Sequence, residues 1–224
     1  MKLVNMDLGI DIDVEENYIY ELIIEHSDSF SRVVGSLIRQ VDGDEGAFIV
    51  SDNNKAIKLD KQADIIVDYF SISPNNKKII SKLYSKLEAV AEEYVIEKAE
   101  INSRLISLLD KLTVSLGYGD IGYDLDFKWT DIFKLYNVNF MDEYDSLLER
   151  LISYIKVLSE LTDVKILFLV NVKSYLDEEE IGKLYQMVNY YKVSLILIES
   201  TERSRVNHEK RYIIDKDRCF IDVN

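Results

Sequence analysis

Residues 164–199 switch between two short apolar runs and one amphipathic stretch. Residues 166–170 (ILFLV) are apolar without interruption, and residues 193–198 (VSLILI) are broken only by Ser194. Strands that are apolar on both faces belong in the middle of a parallel sheet with helices on each side. Between the runs, Asp177 is a good helix start, and Glu178, Glu179 and Glu180 fill the positive first turn. Ile181, Leu184, Tyr185 and Val188 then recur at i, i+3, i+4 and i+7, an apolar face for the sheet. The stretch predicts a β-α-β unit with a right-handed crossover.

The two ends of the chain carry related signals. Residues 18–25 (YIYELIIE) predict a buried strand, followed by capping residues His26, Ser27, Asp28 and Ser29. Phe30, Val33, Val34, Leu37 and Ile38 give the next helix its apolar face. Residues 41–46 (VDGDEG) mark a turn, 47–51 a short strand, 52–55 (DNNK) a second turn and 63–69 a further strand. Residues 219–223 read as a short closing strand. The character changes at Pro74, the only proline, which suits the first turn of a helix because its missing N–H costs nothing there. From residue 75 to about 116 the pattern is helical. Ile80, Leu83, Leu87, Val90, Ala91, Tyr94 and Val95 form one stripe, and Ile101, Leu105, Leu108, Leu109 and Leu112 a second. A pair of long helices, or one bent helix, fits. Residues 117–129 are rich in Gly and Asp and poorly periodic. Helix returns over 131–136, and again from Asp142 or Glu143 to about 161. The expected fold is α/β: a parallel (mixed) sheet head made of residues 1–73 and 164–224, with an elongated helical domain, 74–163, inserted between them.

Composition narrows the setting. A chain of 224 residues buries roughly 70% of its unfolded surface without staples. The single Cys219 allows no internal disulfide, fits a reducing compartment and reads as a packed thiol. No apolar run approaches the roughly 18 residues of a membrane span, and residues 1–7 lack the apolar stretch of a secretory signal. The expectation is a soluble, cytoplasmic protein without membrane contact. With 27 basic and 41 acidic residues, the net charge of −14 argues at face value against nucleic acid. Screening changes that argument. At physiological salt the Debye length is about 8 Å, so a phosphate responds to nearby charges rather than to the total. An acidic protein holds DNA where its Lys and Arg are segregated onto one surface.

Catalytic constellations are thin. A phosphate loop needs glycines and a Lys-Ser or Lys-Thr pair, and the first strand-to-helix turn, 25–32 (EHSDSFSR), has neither glycine nor lysine. The strand ending Leu169-Val170-Asn171 lacks an acid where a magnesium-holding carboxylate is expected. His26 and His208 have no metal-ligand spacing with Cys219. The chain is not expected to be an enzyme.

Charged clusters are more informative. Lys77, Lys78, Lys82 and Lys86 lie in a stretch, 74–87, that contains no acid. Lys78, Lys82 and Lys86, at i, i+4 and i+8, share one helix face, which either solubilises the helix or follows a phosphate backbone. Arg203, Arg205, Lys210, Arg211 and Arg218 form a second group, interrupted by acids. Asp120, Asp124 and Asp126 lie in 119–127 (GDIGYDLDF), and Asp142, Glu143 and Asp145 follow later. Clustered carboxylates on an irregular loop supply the hard oxygens calcium wants, though the spacing is not that of an EF-hand. The other reading is a solvated loop and a helix N-terminus matched to its dipole. Fifteen tyrosines suit either an oligomer interface or a core poor in Phe and Trp.

The order of these elements is itself distinctive: an apolar strand ending in Asn171, then Tyr175-Leu176 and an acidic helix start, then an apolar strand ending in Glu199. It resembles the type II-A CRISPR-associated adaptation protein, the Csn-type ring-forming family that binds duplex DNA ends. The ending Tyr212-Ile213-Ile214-Asp215 and the N-terminal strand and helix extend the likeness over nearly the whole chain. The resemblance implies a degenerate P-loop-ATPase-like α/β head with a protruding helical domain. It also implies sequence-independent, non-enzymatic binding of double-stranded DNA ends by a ring-shaped homotetramer, in spacer acquisition and antiviral defence. The partners it implies are the CRISPR integrase complex and the RNA-guided effector nuclease. On this basis Lys77, Lys78, Lys82 and Lys86 are expected to line a DNA channel, and Arg203, Arg205, Lys210 and Arg211 to bind DNA as well. Asp120, Asp124, Asp126, Asp142 and Glu143 hold calcium that stabilises the ring, although Met141 stands where an acid is expected. Two alternatives stay open: a degenerate nucleotide-binding regulator, and an acidic protein-interaction scaffold that does not bind DNA.

Overall fold

The computed structural model describes residues 1–15, 17–53, 55–117 and 120–224. Asn54 of the second predicted turn, and Tyr118 and Gly119 of the Gly- and Asp-rich stretch, lie outside the described residues. In chain order the elements are β1 (Lys2–Asn5), β2 (Ile10–Asp13), β3 (Ile19–Ile24), α1 (Ser27–Val41), β4 (Ile49–Asp52), β5 (Lys55–Ala56), α2 (Leu59–Gln62) and β6 (Ala63–Ile66). There follow α3 (Lys77–Ala91), α4 (Val95–Ser115), α5 (Trp129–Leu135), α6 (Leu147–Leu161), β7 (Ile166–Val170), α7 (Glu178–Tyr190), β8 (Ser194–Glu199), β9 (Glu209–Ile214) and β10 (Phe220–Asp222). The chain divides into two compact units, Met1–Pro74 with Asp142–Asn224, and Asn75–Met141.

The first unit is built on a six-stranded sheet in the order β10-β9-β3-β8-β7-β6. Strands β9, β3, β8, β7 and β6 are mutually parallel and β10 joins antiparallel at one edge. Every residue of β3 and β7 is buried, as continuous apolar runs require in the middle of such a sheet. The predicted β-α-β unit is β7-α7-β8, and α7 starts with a full capping box between Asp177 and Glu180. The α/β class and the parallel, mixed sheet head are therefore as the sequence indicated.

The register assigns the two sheet faces. Glu21 of β3 lies opposite Leu197 of β8 and Arg211 of β9, so these three side chains share one face. The other face carries Tyr20, Leu22, Ile24, Phe168, Ile196 and Tyr212 into a core with Val33 and Leu37 of α1. That core also takes Leu3, Ile10, Ile12 and Val50 from a separate antiparallel sheet, β2-β1-β4-β5. The sequence reading placed its first strand at 18–25 and missed β1 and β2. The strand expected at 47–51 belongs, as β4, to this second sheet.

Three boundaries differ from expectation for local reasons. Helix α3 is capped by Asn76, whose side chain accepts from the Ile79 amide at 3.0 Å, so Pro74 lies outside the helix. Helix α6 starts at Leu147, not at Asp142 or Glu143. The Ser146 hydroxyl accepts from the Glu149 amide at 3.1 Å while Glu149 Oε2 accepts from the Asp145 amide at 3.0 Å, fixing the start later. Helix α6 buries Leu151, Tyr154, Ile155, Val157 and Leu158 and packs against α7. It falls in the first unit, where residues 142–163 had been assigned from sequence to the helical domain. Cys219, expected to be packed, is exposed.

In the second unit, α3 and α5 pack together, with the Tyr84 and Phe133 rings 5.5 Å apart and Trp129 stacked on Phe133 at 6.2 Å. Asn75 clamps the Phe140 backbone, donating to its carbonyl at 3.0 Å and accepting from its amide at 2.9 Å. Helix α4 buries none of its residues.

Candidate nucleic-acid interface

Helix α3 presents Lys77, Lys78, Lys82 and Lys86, all exposed, against a single acid, Glu88. At a rise of about 1.5 Å per residue, Lys78 to Lys86 spans roughly 12 Å along one face. Duplex DNA carries one charge per roughly 1.7 Å of axis, so such a row meets several phosphates. The apolar residues of the helix lie elsewhere on it: Ile79 is fully buried, and Leu83 and Leu87 are half-buried. The sequence spacing therefore places these lysines together on the exposed side of α3.

The second basic group is different in kind. Arg211, predicted to meet DNA, is buried with its guanidinium consumed. Nε donates to Glu21 at 2.6 Å, one terminal nitrogen to Glu202 at 2.8 Å and the other to the Arg203 carbonyl at 2.8 Å. Arg205 donates to the Glu209 carbonyl at 2.7 Å and to Asn224 Oδ1 at 3.1 Å. Lys210 pairs with Glu15 at 2.8 Å and sits over the Tyr18 ring at 4.4 Å. Arg203 is exposed and donates to Ser174 Oγ at 3.0 Å. These groups tie the 200–208 loop and β9 to their surroundings, and Arg211 cannot reach a phosphate without breaking a buried ion pair.

The acids predicted to hold calcium are all exposed. Asp120, Asp124 and Asp126 belong to the second unit, Asp142 and Glu143 to the first. Lys98 donates to Asp126 at 3.0 Å and holds its carboxyl below the ordinary carboxylate range. Asn102 donates to the Leu125 carbonyl at 2.6 Å, and the Tyr123 hydroxyl bonds the Asp110 carboxylate. These bonds strap the acidic loop along α4. Among the described residues no three His, Cys, Asp or Glu side chains come together as a metal site. The residues present do not fit the ion in this arrangement.

The turn after β3, where a phosphate loop would lie, is closed by its own side chain. His26 caps α1, its Nδ1 accepting from the Ser29 amide at 3.2 Å, so an amide that would face a phosphate is already used. At the end of β7, Asn171 adopts a left-handed backbone (φ 55°), and its Oδ1 accepts from the Ser200 amide and hydroxyl, each at 2.9 Å. It ties β7 to the end of β8.

Sequence reasoning missed a buried ionic cluster beneath the 200–208 loop. Lys173 Nζ contacts Glu21 at 2.8 Å and Glu209 at 2.7 Å, and donates to the Ser204 carbonyl at 3.1 Å. Tyr185 of α7 donates to Glu209. Glu199 is 1% exposed; one oxygen accepts from the Lys173 amide at 3.2 Å and the other carries no hydrogen bond. Burial pushes the Glu199 carboxyl up to about 7, against the pull of the Lys173 amide. The only available signal was a charge, Glu21, set inside the apolar run YIYELIIE.

The family model described as CRISPR-associated protein (Cas_Csn2) matches residues 40–218. The CRISPR-associated protein Csn2 of Enterococcus faecalis is 22% identical over 201 residues, covering 88% of this chain and 88% of that protein. Among solved structures, a putative ABC transporter ATP-binding protein from Pyrococcus furiosus aligns over 91% of this chain and 88% of its own. The identity there is 13% and the TM-score 0.38.

Proposed function

Because this chain belongs to the Csn2 family of CRISPR-associated proteins, we propose that it is a non-enzymatic, sequence-independent binder of double-stranded DNA ends. It acts in spacer acquisition as a ring-shaped homotetramer, alongside the integrase complex and the RNA-guided effector nuclease. The observation that carries the reading is the exposed lysine row of α3, an acid-poor helix face on a chain of net charge −14. Lysines at this spacing contact phosphate rather than base edges, which gives affinity without sequence preference. A few such contacts per subunit are weak, and a closed ring multiplies them.

Helix α4 supports the assembly. Ile101, Leu105, Leu108, Leu109 and Leu112 are all exposed, Leu108 and Leu112 by more than half, so a long apolar stripe stays open among the described residues. Exposed apolar stripes of this length mark interaction surfaces. A second copy of the chain is the occupant this reading assigns to it.

The test is a mobility-shift comparison of linear with closed-circular duplex of identical sequence at two salt concentrations. Encirclement retains the linear form only, with log affinity falling against log salt by about 0.9 per phosphate engaged. No shift of either form at low salt sinks the reading in favour of the acidic scaffold.

A further inference from the structure

A cleft of about 270 Å³ opens in the first unit between the small antiparallel sheet and the N-terminal half of α1. At its side lies Asn5, the last residue of β1, 3% exposed, whose Oδ1 accepts no hydrogen bond. A buried amide oxygen without a donor is costly, and native structures seldom leave one so. Leu8, Val33, Ala47 and Phe48 give the cleft apolar walls. The Phe48 wall is fixed, because Gln40 donates to its carbonyl at 3.0 Å and accepts from its amide at 3.1 Å. Arg32 and Arg218 also line the cleft. They share one carboxylate, Asp28, which bonds Arg32 and lies 3.8 Å from Arg218. Asp7 is the remaining charged group of the lining.

We propose that this cleft binds a nucleoside monophosphate, with an amino-bearing base facing Asn5 and the phosphate facing Arg32 and Arg218. Each part of such a ligand has its partner class here. An asparagine amide matches the donor and acceptor edge of adenine, and a flat ring suits apolar walls that include a phenylalanine. A carboxylate such as Asp7 accepts from a ribose hydroxyl, and guanidinium groups match phosphate geometry. The volume sits just below the roughly 300 Å³ at which ordinary ligand pockets begin, which restricts the occupant to a small molecule. The site is independent of the lysine row of α3 and of any duplex. It is also no phosphate loop, since His26 occupies the Ser29 amide and side chains rather than backbone would hold the anion.

Isothermal titration of the full chain, free of DNA, tests this with adenosine monophosphate, adenosine and inorganic phosphate as separate probes. The expected result is saturable binding of one adenosine monophosphate per chain, with adenosine and phosphate each at least tenfold weaker. Asn5→Leu, with the same number of side-chain heavy atoms and without the orphaned oxygen, weakens the nucleotide at least tenfold. Ser36→Phe, introduced from a half-buried position on α1, fills the cleft and abolishes binding; circular dichroism confirms that both variants are folded. Three results overturn the proposal: no saturable binding at millimolar nucleotide, binding undiminished in both folded variants, or inorganic phosphate binding as tightly as the nucleotide.

Discussion

The Lys173 ammonium lies 2.8 Å from the Glu21 carboxylate, and 4% of the first side chain and none of the second is exposed. The same ammonium serves Glu209, so one cation offsets two buried anions, with Arg211 as the second cation of the cluster. Removing one member of a buried pair leaves its partner charged and desolvated. Lys173→Met is expected to cost about 3–5 kcal/mol, read as a lowered midpoint in urea denaturation. Adding Glu21→Gln should return part of the loss, since it removes one of the stranded charges. A single variant as stable as the parent would contradict the buried geometry.

Glu199 makes this region sensitive to pH in a defined direction. Its carboxyl is raised from 4.5 to about 7 in the folded chain, chiefly by burial. The folded state therefore holds its proton at pH values where the unfolded state has lost it. Stability from this group falls as pH rises from about 4.5 to about 7 and is level above that. The shift corresponds to a loss on the order of 3 kcal/mol. Glu199→Gln keeps an oxygen for the Lys173 amide but does not titrate. Relative to the parent it should gain stability between pH 5 and pH 8, measured as the difference in unfolding free energy.

Charge reversal on α3 separates binding from assembly. Lys78→Glu with Lys82→Glu replaces two positive charges on the presented face with two negative ones and touches no apolar residue. Duplex binding is expected to vanish in mobility-shift experiments while the hydrodynamic mass stays that of the parent. Retained binding in an assembled double variant would assign the DNA to another surface.

The α4 stripe makes the converse prediction. Leu108→Glu with Leu112→Glu adds charge to positions already more than half exposed, so the isolated chain should lose no more than about 0.5 kcal/mol per site. If this stripe joins copies, light scattering will show a shift toward single chains, with duplex binding weakened through lost multivalency. An unchanged mass would leave α4 outside the assembly.

What was legible in the sequence depended on the range of the interaction. The β7-α7-β8 unit could be read because its periodicity and the Asp177 cap are local, complete within a few turns of chain. The α3 lysine row is also local, fixed by helix spacing alone. Strands β1 and β2 were missed because four residues of alternating polarity, such as Ile10-Asp11-Ile12-Asp13, resemble a turn until a partner strand is known. Arg211 looked like surface charge because its partner, Glu21, stands 190 positions away. Asp126 looked like a metal ligand because nothing near it in sequence announces Lys98, 28 positions earlier. Charged side chains are ambiguous in this way: their meaning is set by whichever opposite charge the fold delivers.

The place of β3 in the sheet has a consequence in time. Its two neighbours, β8 and β9, are made only after the whole of Asn75–Met141 and the α6 segment have been synthesised. A nascent chain thus carries an apolar strand with both hydrogen-bonding edges open through most of its synthesis, while the contiguous Asn75–Met141 unit already has all its own residues. The head closes late and around a strand that has waited, which makes the interval of translation, rather than the finished fold, the period of greatest exposure to aggregation.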